Sequence, residues 1–468
     1  MAKRHPPNSG HPAPASVPVK PAPAARGASA RPAATPPAVW VALIILGLAA
    51  RVAVAATTWG SNDVLGFQIF GLQISQFGLF EAYRQNPELN HPPIPALWAA
   101  LSYRLADPTP DGGGVLAFCF LLKLPGLAAE AVSVWLLWRI GSARGGCGSG
   151  NRTADGGGRT AGFRDAALYA WALAPLLVAG YHGNTDTVYA MLSLLAVYLL
   201  EGGGREGDGT PRYGRARVGQ SPAAPRPLAA GLALAAAVNV KLIPVLLVPP
   251  LLLSLRSRRD AARFLAGLAV GVVPFLPLLA AVGPAFYRNA LAYDPKPDRW
   301  GLMLPLLWNR ELPLDPAADR VVLAYKAVGR YVILGLVTGW AVLARLRGRT
   351  SRYELAAATY AVFLVFTPGF GAQYVAVVAP LLAAARPAAG LAYSTMAGLC
   401  VLLMYYLAWD GQFPPGSLIL GYVRPAPVLF GLAAWAVLAG YLVAAVRRAV
   451  RATPMSPASP PPHRQPVG

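Results

Sequence analysis

Long apolar runs, each ended by a short polar or basic break, repeat along the chain from residue 40 to residue 446. Val41 to Ala56 (broken only by Arg51), Ala131 to Trp138, Leu242 to Leu255 and Val428 to Val446 set the pattern. Such runs are too many and too long for one soluble core, so the solvent they imply is lipid. The pattern predicts an all-α polytopic membrane protein of about twelve transmembrane helices, over 40–58, 116–140, 165–181, 186–200, 228–240, 242–255, 264–282, 321–344, 354–368, 374–385, 391–408 and 426–446. The apolar stretch 92–105 is left out of that count. It has only about 14 residues where a span needs about 17 or more, and Pro92, Pro93 and Pro95 at its head suit a helix start. A re-entrant or interfacial helix is expected there, inside a first external loop of residues 59–115. A second external loop is expected over 283–320, and Gly-, Arg- and Pro-rich cytoplasmic linkers over 141–164 and 201–227. Breaks at Asn239-Val240-Lys241 and Thr367-Pro368-Gly369 interrupt the spans. Non-helical backbone at membrane depth is tolerated where it is buried in protein or lines a wet cavity, so these breaks predict a cavity facing the external side.

Composition agrees: 55% of the 468 residues are hydrophobic and 13% charged, against roughly 25% charged in a soluble domain. Charge adds orientation. The net charge of +21 gathers in short basic blocks between apolar runs, at Arg256, Arg258, Arg259 and Arg263, at Arg345, Arg347, Arg349 and Arg352, and at Arg447, Arg448 and Arg451. That distribution follows the positive-inside rule and argues against nucleic acid as a partner. It puts both termini in the cytoplasm, with residues 1–39 and 447–468 as disordered tails around a membrane domain at 40–446. The first tail has no apolar core of a signal peptide. Cys119, Cys147 and Cys400 lie too far apart for a disulfide framework or a zinc site. The chain has no phosphate-binding loop in a strand-to-helix context, no G-x-S-x-G, no H-E-x-x-H and no close carboxylate pair in the first external loop. Neither a metal nor another cofactor is expected.

Ionisable groups at the membrane edge are costly, which makes them functional candidates. Asp63, directly after the first span, suits either an N-cap of the helix Val64 to Phe77 or a general base. Tyr181-His182-Gly183-Asn184-Thr185-Asp186 joins the third and fourth spans. Thr185 or Asp186 can cap the next helix there; His182 has no such role. His91 precedes the prolines of the loop helix, and Lys123 and Glu130 share one face of the second span. Lys241, at a hairpin tip, suits a phosphate as a point charge. Asp294, Lys296, Asp298, Arg299 and Trp300 mix charge with an aromatic in the second external loop, and Gln373 and Tyr374 open the tenth span. For Trp300 and Tyr374 the competing role is interfacial anchoring.

In this order the residues resemble the GT-C superfamily of membrane glycosyltransferases. The likeness spans roughly 40–446: Asp63 after the first span, His91-Pro92-Pro93-Ile94-Pro95, Lys123 to Glu130, Tyr181 to Asp186, Val240-Lys241-Leu242-Ile243-Pro244 and Phe366 to Tyr374. It is nearest to bacterial mannosyltransferase-like proteins and more distant from the asparagine-linked-glycosylation glucosyltransferases, which have Asp where this chain has Glu130 and a longer external loop. The resemblance implies inverting transfer of a hexose, mannose by the nearest relatives, from a polyprenyl-phosphate carrier to an acceptor hydroxyl of a glycan, glycolipid or protein at the external or periplasmic face. Asp63 would then be the base, with Lys241, Arg299, His182 and Lys123 on the donor phosphate and His91, Asp186, Glu130, Gln373 and Tyr374 lining the cavity. A donor already in the bilayer needs no nucleotide-binding domain. The rival reading is a multi-pass transporter or lipid-linked-sugar flippase, which also uses broken helices and intramembrane charge.

Overall fold

The computed structural model describes residues 36–109, 113–145, 157–202, 225–292, 300–307, 317, 319–348, 350–409 and 425–451. Arg299, its neighbours Asp294, Lys296 and Asp298, Cys147 and most of both tails lie outside the described residues. The regular structure within them is helical. Helix α1 is Pro37–Thr57, α2 Asn62–Phe77, α3 Leu79–Gln85, α4 Pro93–Ala106, α5 Val115–Gly145 and α6 Gly157–Ala170. Then come α7 Leu173–Leu177, α8 Asp186–Leu200, α9 Pro227–Val240, α10 Val248–Ser254, α11 Arg258–Val270 and α12 Leu276–Phe286. The remainder is α13 Met303–Leu307, α14 Arg320–Arg347, α15 Arg352–Phe366, α16 Ala379–Ala385, α17 Pro387–Trp409 and α18 Pro425–Arg451.

Six helices among the described residues are long and apolar enough to cross a membrane: Pro37–Thr57, Val115–Arg144, Arg258–Leu291, Arg320–Arg347, Pro387–Tyr406 and Ala426–Arg451. Shorter apolar helices occupy Leu173–His182, Asp186–Leu200, Pro227–Val240, Ile243–Ser254 and Ala372–Ala385. Two expected loops shrink. Helix α5 runs on to Gly145 and α6 begins at Gly157, inside the linker expected at 141–164, and α12 continues through a π turn, Tyr287–Leu291, inside the loop expected at 283–320. Hydropathy marks contact with lipid, whereas helical hydrogen bonding carries on into the interface.

Most buried side chains form one core among α5 to α10 and α15 to α18. A second core, around Phe67, Phe70, Tyr83, Ala99, Phe118 and Phe286, joins α2, α3 and α4 to the start of α5 and to α12. Helix ends gather in two places. Arg352 meets Glu201 at 3.6 Å and Ser254 Oγ at 3.0 Å, and Arg448 Nε meets Glu354 at 2.9 Å, which gathers the ends of α8, α10 and α18 around the start of α15. At its other end α8 begins with Asp186, which belongs to a separate polar cluster described below.

Helix breaks inside an apolar bundle free carbonyls that water cannot reach, and each such group left bare costs about 1–3 kcal/mol. Here side chains from elsewhere in the fold supply the missing donors. Pro125 within α5 has no N–H for the carbonyl of Leu121, and Trp98 of α4 donates its indole N–H to that oxygen at 3.2 Å. Pro175 likewise cannot bond Trp171, and the third expected span breaks into α6 and α7 at Trp171-Ala172. The freed Ala170 carbonyl accepts from the guanidinium of Arg51, which reaches across from α1 and also bonds the Tyr169 carbonyl beside the Ala172 N–H. Where α15 stops before Pro368, Trp300 donates to Leu364 at 2.8 Å, Trp435 to Val365 at 3.3 Å and Tyr325 to Phe366 at 2.7 Å. Trp300 is 3% exposed and stacked on Phe370 at 4.2 Å, so it anchors the chain inside the protein and not at the lipid interface.

Candidate active site

The polar cluster forms where three broken elements meet. Helix α1 ends at Thr57, and Gly60 at φ 106° turns the chain into Ser61, the N-cap of α2. Ser61 accepts from the Asp63 N–H at 3.2 Å and donates its own hydroxyl to the His182 carbonyl at 2.8 Å. Asp63, the second residue of α2, is therefore not the cap. On the facing chain α7 widens into a π turn, Val178–His182, closed by Gly183 at φ 78°. A β-carbon at Gly183 would lie 2.5 Å from Val64, and one at Gly60 would lie 2.7 Å from both Val64 and the Tyr181 carbonyl. The two turns press together because neither carries a side chain there.

This packing brings Asp63, His182, Asn184, Asp186, Lys241 and Tyr374 together. Asp63 Oδ2 lies 3.0 Å from His182 Nε2 and accepts from the Asn184 amide. Oδ1 has no hydrogen-bond partner among the described residues, and the Asp63 side chain keeps 28% of its surface open. Burial works to raise the Asp63 carboxyl; His182, with Lys241 and Asn184 behind it, outweighs burial and holds it well below the usual carboxylate range. Asp186 is fully buried and caps nothing: its carboxylate takes the Lys241 ammonium at 2.9 Å and 3.2 Å and the Tyr189 hydroxyl at 2.8 Å. Lys241 sits at the non-helical end of α9, with its ammonium 4.8 Å from the centre of the Tyr374 ring. Gln373, half-buried, lies beside Tyr374 in a 3₁₀ turn after the Thr367-Pro368-Gly369 break.

His91 borders the cluster. Its ring lies 4.9 Å from Phe67, and its Nδ1 is buried without a partner. Burial, then the charge of Lys241, lower its imidazole from an ordinary 6.5 to about 3, against the opposing pull of Asp63. His91 is therefore neutral across the physiological range.

Three residues expected on the donor phosphate or in the cavity have their polar atoms taken up by the chain itself. Lys123 is 2% exposed; it bonds the Thr58 carbonyl at 2.7 Å and the Thr58 hydroxyl at 3.1 Å, beneath Gly60 and Gly183, because the end of α1 has carbonyls to satisfy. It supports the floor of the site. Glu130 lies deep in the bundle, 1% exposed, in an ion pair of 3.2 Å with Arg51 and a hydrogen bond of 3.0 Å from Tyr169. It lines no cavity, since both oxygens are engaged by buried partners. His182, 3% exposed, has one ring nitrogen on Asp63 and the other on the Tyr405 hydroxyl, so neither is left for a phosphate. Arg51 and Tyr405 escaped the sequence reading. Arg51 had a signal, as the lone charge in an apolar run; Tyr405 had none.

The arrangement is a carboxylate with one open oxygen, a buried histidine behind it, and a neighbouring lysine with one N–H beyond the two that serve Asp186. The model of glycosyltransferase family 87 matches residues 93–368, more than half of the chain, a stretch that holds His182, Asp186 and Lys241 and begins after Asp63. No curated protein matches the chain. With the helical membrane fold, the match establishes that the chain belongs to glycosyltransferase family 87, a family of GT-C-type membrane glycosyltransferases.

Proposed function

We propose that this chain transfers a hexose, mannose by its nearest resemblance, from a polyprenyl phosphate to an acceptor hydroxyl of a glycan, glycolipid or protein on the external face of the membrane, with inversion and with Asp63 as general base. The observation that carries the reading is the asymmetry of the Asp63 carboxylate, Oδ2 tied to His182 and Asn184 and Oδ1 open. An acceptor O–H on Oδ1 would lose its proton as the oxygen attacks the anomeric carbon from the face opposite the phosphate. A carboxylate held this far below its usual range is a weak base, so the proton moves late, once the new C–O bond has made the hydroxyl acidic. The phosphate leaves as a stable anion, and Lys241 can stabilise it with its third N–H while the other two stay on Asp186. Arg299 is assigned to the same phosphate by its place in the sequence. His182 is a poor rival for the base, because both its nitrogens are engaged.

The reading keeps twelve passes, with the Arg352 and Arg448 contacts on the cytoplasmic side and Asp63 on the other. Helix α4, about 21 Å long, is too short to cross and fits a re-entrant or interfacial helix. The test is to incubate purified protein with labelled polyprenyl-phosphate hexoses and an acceptor panel. Transfer from the mannosyl lipid is expected, and its loss in Asp63→Asn. Movement of the lipid-linked sugar across liposomes without any transfer product would replace this reading with the flippase.

A further inference from the structure

We infer that His91 hydrogen-bonds a hydroxyl of the transferred hexose, a task separate from those of the base and of the phosphate-binding cation. The inference rests on the donor class and the role of Asp63 proposed above. Phe67 follows Asp63 by four residues on α2, so the two share a face, about 6 Å apart along the axis. The His91 ring packs edge-on against Phe67 with centroids 4.9 Å apart, and its centroid is 6.3 Å from that of Phe70. The Tyr83 hydroxyl donates to the His91 carbonyl at 2.5 Å, and Pro92, the next residue, restricts the backbone further. The imidazole is thus fixed about one helical turn along α2 from the base. The residue is half-buried. Its Nδ1 is enclosed without a partner, and its Nε2 stays accessible and has no hydrogen-bond partner among the described residues.

A polar ring held rigidly with nothing to bond inside the protein is a cost to folding, and a ligand that bonds it accounts for its presence. The state of the ring selects the ligand. A histidine that serves a phosphate is stabilised as the cation, whereas burial and the charge of Lys241 keep His91 neutral. A neutral imidazole suits a neutral hydroxyl, to which it can donate or from which it can accept. Position selects the sugar. Both Asp63 and Lys241 act on the charge of the ring, so His91 is within the field of the base and of the phosphate cation together. At an inverting centre the base and the leaving phosphate lie on opposite faces of the anomeric carbon, and the transferred hexose is the one part of the substrates between them. The remaining hydroxyls of the acceptor lie on the side of the base alone.

The experiment measures how tightly the full chain in lipid nanodiscs binds polyprenyl-phosphate mannose and bare polyprenyl phosphate, in the wild type and in His91→Phe, which keeps an aromatic ring against Phe67. The variant is expected to bind the sugar-bearing lipid about 10-fold more weakly, the worth of one hydrogen bond, and the bare phosphate as the wild type does. Its unfolding midpoint at neutral pH should be no lower, because no hydrogen bond within the chain is removed. A series of deoxy-mannosyl lipids then identifies the hydroxyl: one of them should bind the wild type about 10-fold more weakly than the parent lipid, and His91→Phe should bind the two alike. An equal loss for both lipids would make His91 a structural residue. Unchanged affinity for both lipids overturns the assignment, and so does a variant that still tells every deoxy lipid from the parent as the wild type does. A wild type that binds neither lipid removes the donor class and this assignment together. The reading of Asp63 fails separately: if Asp63→Asn transfers sugar at the wild-type rate while His91→Phe loses only the sugar-bearing lipid, Asp63 is not the base and the role of His91 stands.

Discussion

Two buried polar networks occupy this bundle, and they differ in what they leave unsatisfied. Around Arg51, the Glu130 carboxylate, the Tyr169 hydroxyl and the carbonyls at the end of α6 close on one another, with Arg51 and Glu130 each 1% exposed. Around Asp63, one carboxylate oxygen is open, Lys241 has an N–H to give, and His91 holds a buried nitrogen with no partner. Both networks put charge where charge is expensive. Only the second keeps bonding capacity for something absent from the chain. Intramembrane charge is thus a sign of function only where a valence stays open; where every valence is filled internally, the charge mends a broken helix.

The largest effect that would sharpen this contrast belongs to Asp63→Asn. Because Ser61 and not Asp63 caps α2, the amide should keep the helix, and transfer per folded molecule should fall by about 10² to 10⁴, the contribution of a general base. Turnover close to wild type would erase the distinction between the networks.

Glu130→Ala should do the opposite. Removing one partner of a buried pair costs about 3–5 kcal/mol, so thermal unfolding in detergent should come earlier while the turnover of protein that remains folded stays near normal. Replacing Arg51 as well should recover little, since Arg51 also serves Tyr169 and Ala170.

A smaller loss is expected from Trp300→Phe, which keeps the stack on Phe370 and removes the donor to Leu364. Leaving that carbonyl bare should cost about 1–3 kcal/mol, read as a lower unfolding midpoint. An unchanged midpoint would mean that α15 ends without needing its foreign caps.

The smallest effect concerns pH. His91 titrates at about 3 in the folded chain, below its ordinary 6.5, so between those values the unfolded chain binds a proton that the folded chain refuses. Stability is full above pH 6.5 and declines as pH falls towards 3, by on the order of 2 kcal/mol at pH 5. His91→Gln should flatten that part of the stability profile; an unaltered slope would show that the His91 nitrogen is well solvated.

Much of this was determined by the sequence alone. Apolar runs placed most of the helices, the Asn239-Val240-Lys241 and Thr367-Pro368-Gly369 breaks were legible, and the expense of charge near lipid drew attention to Asp63, His182, Asp186 and Lys241. These signals are local: hydropathy acts over a window, and proline removes a hydrogen bond to the residue four before it. Tertiary structure alone decided the partners. Ser61 took the cap that Asp63 could have filled; Lys123, Glu130 and His182 turned inward; Trp98, Arg51 and Tyr405 supplied hydrogen bonds across 23, 119 and 223 positions. A freed carbonyl accepts from any donor within reach, whatever its residue type or distance along the chain. Which donor reaches it follows from how the helices pack, and no periodicity in the sequence records that.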